Sequence, residues 1–320
     1  MKLGVCAQAL PRTSLIAALD TARDLGFEAV ELPVDAASPW IDLDAALAGG
    51  WREIAAALRE RGLVLSALSN HQEGQLLLGP HGEETAAIHR GSPDEQVAYA
   101  LHRLRQTAEL ARRLEVDVVC GFTGCSNWTR FFPWPLRDGW ERMEAPFRAR
   151  MRPLLDDFSR LGVRFAHECH PLQFAYNTET AARAVELLEG HPAFCFNLDP
   201  ANLLLAGVDP VLFAAEHGAR VVHVHGKDGE VVAHHAARSG LLAHGPWHRP
   251  GRGFRFRVPG WGDVPWRRLI SELQLAGFRG VIAVEHEDPT MSEREGLLQA
   301  IAHLRPLLLR EPPPGERRWW

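Results

Sequence analysis

Residues 163–171 read VRFAHECHP: an apolar start at Val163, Phe165 and Ala166 turns polar at Glu168 and His170. A buried parallel strand reads this way where it emerges from an α/β sheet, because both of its faces are covered up to that point. The same change recurs in residues 194–202 (FCFNLDPAN), 221–228 (VVHVHGKD) and 281–288 (VIAVEHED). Each segment closes on a residue type that ligates metal: Glu168, Asp199, His225 and Glu285. Three carboxylates and one imidazole converging from consecutive strands form a hard, mostly oxygen donor set suited to Mn²⁺ or Mg²⁺. Acids tolerate such proximity in an interior only if their repulsion is cancelled, which a divalent cation does directly. The competing reading makes them members of ion-pair networks with arginines.

Outward from these four segments, strands and helices alternate along the whole chain. Strand-like runs are Leu3–Ala9, Ala29–Val34, Val64–Ser69, Val116–Phe122, Val163–Cys169, Phe194–Leu198, Val221–His225 and Val281–Glu285. The intervening segments carry apolar residues at three- and four-residue spacing, as in Ser14–Leu25, Gln96–Leu114 and Trp266–Ala276. Gly26, Gly62, Gly162, Gly218 and Gly277 each stand between a helix and the next strand, where a left-handed terminating glycine belongs. Eight β/α units predict an α/β protein, a (β/α)₈ TIM barrel in a single domain over residues 1–310, followed by a tail at 311–320. An open doubly wound sheet is the runner-up. The barrel is preferred because the polar residues gather at strand C-termini, where barrel active sites lie.

Three β→α connections are long: Asn70–Pro93, Thr123–Gly139 and Gly226–Pro265. All three fall on the catalytic face, and loops of this length are usually functional or disordered. The last carries Lys227, Arg238, Arg249, Arg252, Arg255 and Arg257, a set fit to cover an anionic or polyhydroxylated substrate, or simply a solvated loop or subunit contact. The tail EPPPGERRWW reads as extended, with Trp319 and Trp320 either packed on another subunit or disordered.

Composition narrows the function classes. A net charge of −5 argues against a general nucleic-acid or membrane-surface binder. The apolar runs are strand-sized, far short of a membrane span. Met1–Leu10 reads better as strand one than as a signal peptide, since Pro11, Arg12 and Thr13 follow too early. The 5 cysteines are odd in number and show no paired spacing, so reduced thiols in a cytoplasmic protein are expected.

Strand alternation puts Glu168 with His170, His223 with His225, and Glu285 with Glu287 on shared faces. His71, His170, Asn202, Lys227 and Arg257 are candidates for substrate contact, and Glu31, inward near the end of strand two, is a weaker candidate. His234, His235, His244 and His248 match no metal-site spacing and read as surface loop. No nucleophile elbow or Walker-type phosphate loop is present. Cys125 lacks a partner histidine and reads as a small loop residue.

The pieces HECHP, NLDPANLLLAGVDP, VHVHGKDGE, RVPGWGDVPW and AVEHEDP resemble the sugar phosphate isomerase/epimerase group of xylose isomerase-like TIM barrels, over nearly the whole length. The resemblance implies one divalent metal ion per chain on Glu168, Asp199, His225 and Glu285, with Mn²⁺ expected first and Mg²⁺, Co²⁺ or Zn²⁺ as alternatives. It implies a sugar, sugar phosphate or keto-polyol substrate, with Glu168 and Glu285 moving a proton beside a carbonyl through a metal-stabilised enediolate. His170 and Arg257 would contact substrate. One position departs from the pattern: Asn202 stands where family members commonly carry a histidine, which keeps hydrogen bonding but removes a titrating group. That departure argues against ordinary ketose epimerisation and keeps a lyase of the inosose dehydratase type in view. A non-catalytic sugar-binding barrel and an endonuclease are the remaining readings. The endonuclease needs further histidine ligands, among them one at the position of Asn202, and an Asp-x-His pair that this chain lacks. The expected partners are therefore a small-molecule sugar or polyol and a second copy in a homodimer, with no nucleic acid and no membrane.

Overall fold

The computed structural model describes residues 1–130 and 137–312. Tail residues 313–320, with Trp319 and Trp320, lie outside the described residues. Eight parallel strands close into a barrel: β1 (Lys2–Cys6), β2 (Ala29–Pro33), β3 (Val64–Asn70), β4 (Val118–Gly121), β5 (Arg164–Glu168), β6 (Phe194–Leu198), β7 (Val221–Gly226) and β10 (Val281–Val284). Between β7 and β10, β8 (Asp228–Val231) and β9 (Phe254–Arg257) pair antiparallel as a separate two-stranded sheet. The barrel, not the open sheet, is the fold.

Side-chain alternation divides each strand between two environments. Outward residues such as Phe165, Phe194, Phe196 and Leu198 join the main core, where Phe158 and Phe213 from the helix layer meet them edge-on. Inward residues are small: Ala67, Val118, Cys120 and Ala166 form one cluster, and Cys6, Ala29, Val281 and Ala283 another. One step further along the same inward faces the residues become polar, giving Glu31, Glu168, Asn197, His223 and His225, all buried. Register fixes their neighbours: Glu168 lies opposite Asn197, Asn197 opposite His223, and Ala283 opposite His225. No helix among the described residues is long and apolar enough to cross a membrane.

Several boundaries differ from the sequence expectation. Strand one stops at Cys6, and Ala7–Ala9 forms a single helical turn closed by Leu10 N–H to Ala7 O at 2.8 Å. An apolar run does not separate buried strand from buried turn. Gly26, Gly62, Gly162 and Gly277 do adopt positive φ, but Gly218 does not and instead opens a helical turn at Gly218–Arg220. Its smallness serves packing, because a Cβ there would meet the Ala276 Cβ at 2.5 Å. The 226–265 connection is a folded insert, built from the β8/β9 hairpin and a helix at Ala233–Ser239.

The Asn70–Pro93 connection anchors itself with a buried acid. Glu73, on the short helix His71–Gln75, accepts Ala36 N–H at 3.0 Å and lies 3.5 Å from Arg103 Nε, while its second oxygen has no partner. Burial, reinforced by Asp35 and opposed by Arg103, pushes its carboxyl up to about 7. An acid raised on folding holds more protons folded than unfolded, so its contribution is intact at low pH and is lost as pH rises through about 7. Glu73→Gln is therefore expected to gain stability relative to wild type between pH 5 and pH 8, by up to about 3 kcal/mol. Thermal melts of both proteins across that range check this; a pH-independent difference contradicts it.

Candidate active site

Four strand ends aim one side chain each at a common point. His225, on β7, directs Nδ1 toward Glu285 Oε2 at 2.9 Å, Glu168 Oε2 at 3.3 Å and Asp199 Oδ2 at 3.8 Å. Glu168, Asp199 and His225 each present a donor atom within 4.8 Å of the others. The four residues expected from sequence thus come together. Nδ1 of His225 and Oε2 of Glu285 are buried without a hydrogen bond despite their proximity. Inward donor atoms left without hydrogen bonds, in an oxygen-rich set with one imidazole, fit a divalent cation.

Local chemistry explains why these groups hold their places. Asp199 caps the helix Pro200–Leu205: Oδ1 accepts Ala201 N–H at 2.8 Å and Asn202 N–H at 3.0 Å, which leaves Oδ2 to face the site. Asn202 Nδ2 donates to Asp199 Oδ2 and Glu168 Oε1, both at 2.8 Å, and so spaces the two carboxylates. Asn197 Nδ2 donates to Glu168 Oε2 at 3.0 Å, and His71 Nε2 sits 3.1 Å from the same oxygen. Asn202, proposed from sequence as a substrate contact, is spent on holding the acids, although it also lines the cavity above them.

The buried charge is balanced by cations rather than by protonated acids. Burial opposes ionisation of Glu168, but His225 and His71 hold it below the usual carboxylate range. Lys227 and His225 do the same for Glu285 against the same desolvation. Lys227 is itself buried, with Nζ 3.2 Å from Glu285 Oε1, 2.7 Å from Glu287 Oε2 and 3.8 Å from Asp199 Oδ2. Burial disfavours its charged form, yet these carboxylates raise its pKa well above normal. The alternative of arginine ion pairs for the four residues is not what the geometry shows, since lysine and histidine face these acids.

Beneath the four lies a layer that single-strand reading underrated. Glu31, fully buried on β2, places Oε2 3.0 Å from His225 Nε2 and 3.6 Å from His223 Nδ1. Despite its burial, His225, His223 and His71 bring it down to about 2. A carboxylate on one imidazole nitrogen orients the ring so that the other nitrogen faces a metal. Asn197, two residues before Asp199, is recognisable only from neighbours across the barrel, and Glu31, a weaker candidate from its place near the end of strand two, gains its role from the same neighbours. The thiols of Cys6 and Cys120 share this layer, and burial pushes both well up, so they stay protonated.

The cavity above these residues has a volume of about 370 Å³, within the roughly 300–1,000 Å³ of small-molecule sites. His71, His170 and Lys227 line it as expected. Arg257 does not: its guanidinium pairs with Asp288 at 2.9 Å and Glu230 at 3.0 Å, fastening the insert to the segment after β10. Its proposed role in substrate contact is therefore corrected to a structural one. Missed from sequence were Asp35, Phe122, Trp247 and Phe256, whose positions depend on loop folding. Cys125 is buried and its thiol is pushed up to about 11 by burial, which fits a packing role. Among the described residues, His234, His235, His244 and His248 belong to no group with metal-ligand geometry.

Glu31→Gln keeps the shape of this side chain and removes its charge. Mn²⁺ affinity by calorimetry is expected to fall roughly 10–100-fold with the fold retained by circular dichroism. Unchanged affinity contradicts an orienting role.

Comparison with known proteins agrees with this architecture. The profile of the xylose isomerase-like TIM barrel family matches residues 19–307. YfiH of Bacillus subtilis, an uncharacterized protein, is 29% identical over 329 residues, covering 95% of this chain and 98% of its own. Among solved structures, the probable 3-DHS dehydratase AsbF of Bacillus anthracis superposes with a TM-score of 0.68 at 16% identity, over 95% of this chain and 99% of its own. The IolI protein with a bound zinc atom gives 0.67 at 16% identity, over 96% and 98%. D-allulose 3-epimerase from Methylomonas sp. gives 0.64 at 16% identity, over 96% and 98%. At such identities the structural likeness speaks to the fold alone, while the profile match spans most of the sequence. This chain belongs to the xylose isomerase-like TIM barrel family.

Proposed function

We propose that the chain is a divalent-metal-dependent isomerase or epimerase of a sugar or keto-polyol, working by proton abstraction beside a carbonyl. The observation that carries this reading is the meeting of Glu168, Asp199, His225 and Glu285 at the floor of a small-molecule-sized cavity. Held by those four, a divalent ion supplies Lewis-acid stabilisation of charge developing on a carbonyl oxygen, and Mn²⁺ suits the oxygen-rich set best. That the IolI protein, of the same fold, carries a bound zinc atom supports a divalent metal in this reading.

The chain's own groups supply the proton chemistry. Glu168 and Glu285 are held ionised by their cationic neighbours, so each presents a free carboxylate oxygen as the base, though those neighbours also lower its basicity. His71, which touches Glu168, is placed to return a proton, and Lys227, which touches Glu285 and is held charged, is placed to hydrogen-bond a substrate oxygen. Asn202 fixes Glu168 without competing for that proton, because an amide does not titrate. Phe122 and Phe256 wall the cavity with apolar surface, which strengthens electrostatic interactions inside it.

Roughly one Mn²⁺ per purified chain is expected by elemental analysis, together with solvent-deuterium incorporation beside the carbonyl of a ketose or inosose. Glu168→Gln and Glu285→Gln are each expected to lose on the order of 10²–10⁴-fold in exchange rate. Exchange followed by loss of water reassigns the chain to the lyase reading. Absence of stoichiometric metal, or exchange untouched by both variants, overturns the proposal.

A further inference from the structure

The cavity mouth has a charge pattern that the four converging residues do not explain. Asp35 and Glu287 face it in addition to Glu168 and Glu285. Counted against these acids and Asp199, a divalent ion, Lys227 and a protonated His71 do not bring the balance to positive. The basic insert, rich enough in arginine to suggest an anion cover, engages three of its five guanidinium groups elsewhere. Arg257 is paired with Asp288 and Glu230, Arg255 donates to Pro250 O at 2.8 Å, and Arg252 donates to Gly245 O at 2.7 Å. Among the described residues no arginine lines the cavity. Its one lysine is already shared between Glu285 and Glu287.

The insert does contribute aromatic surface. Trp247 and Phe256 lie with ring centroids 4.7 Å apart, and the Arg252 guanidinium stands 4.0 Å from the centre of the Trp247 ring. Trp247 nevertheless remains 45% exposed, a large aromatic held in place at the cavity mouth without being buried there. Carboxylates accept from hydroxyl groups, neutral amides both accept from and donate to them, and an aromatic face packs on the C–H face of a sugar ring. A phosphate or carboxylate placed in the same mouth meets like charge in a partly desolvated setting, which is an element of rejection.

We infer that this site takes an uncharged polyhydroxylated ring and rejects phosphorylated analogues, with Asp35 and Glu287 as the selecting residues and Trp247 as the stacking face. The inference rests on the reading of this cavity as the substrate site. It deepens that reading by removing sugar phosphates from the substrate range. Glu287 acts here both as a hydroxyl acceptor and as the partner that neutralises Lys227, the cation otherwise available to a phosphate.

The test uses Mn²⁺-loaded full-length protein and two matched pairs of probes: myo-inositol with myo-inositol 1-phosphate, and D-fructose with D-fructose 6-phosphate. Binding is read by ligand-observed NMR competition and by tryptophan fluorescence, with inorganic phosphate as a further competitor. At least one neutral member is expected to bind at least tenfold more tightly than its phosphate. The Asp35→Asn/Glu287→Gln double variant is expected to narrow that ratio at least threefold. Trp247→Ala is expected to weaken the neutral member while leaving Mn²⁺ content unchanged, which separates lost stacking from lost folding. Equal or tighter binding of a phosphate ester, competition by inorganic phosphate, or no binding of either neutral member overturns the inference. Deuterium exchange into a phosphate ester sinks the inference and leaves the isomerase reading standing. Tight neutral binding without exchange does the reverse.

Discussion

The whole site depends on one imidazole that must face acids on both of its sides. His225 has Glu31 on Nε2 and three further carboxylates around Nδ1, all in or near the barrel interior. Charge of one sign at that density destabilises a fold unless each member is bonded and the set is neutralised. The surrounding structure supplies those conditions. Asn197 and Asn202 bracket Glu168, the helix beginning at Pro200 takes one oxygen of Asp199, and Lys227 lies against Glu285. The two atoms left without a hydrogen bond, His225 Nδ1 and Glu285 Oε2, lie where the four groups converge.

The barrel makes this arrangement possible by a division of labour along each strand. Small inward residues such as Ala29, Ala166 and Ala283 fill the lower interior, and the residues two positions on, Glu31, Glu168 and Glu285, form the functional layer. Outward aromatic residues carry the packing against the helices. Stability and chemistry therefore occupy different faces of the same strands, so Glu168 changes the site while Phe165 changes the core.

This division also explains what was legible in the sequence. An apolar run ending in a ligand-type residue marks a strand end directly, so Glu168, Asp199, His225 and Glu285 and the barrel itself could be read from linear pattern. Glu31 and Asn197 matter through partners on other strands, which no local pattern displays. Arg257 was misjudged because a loop arginine looks the same whether it meets a substrate or, as here, Asp288 and Glu230. Trp247 gave no signal of its own, since it reaches the cavity only through the fold of the insert that β8 and β9 begin and end. Gly218 had the right residue for a left-handed turn, but close packing on Ala276 was its actual reason.

The nature of the donor set is tested most directly by X-ray absorption spectroscopy on the metal-loaded protein. The arrangement of Glu168, Asp199, His225 and Glu285 predicts a single metal with an all oxygen and nitrogen first shell and one imidazole. A sulfur neighbour at about 2.3 Å would place the ion instead in the deeper layer with Cys6 or Cys120, and the absence of a stoichiometric metal would contradict the metal centre altogether.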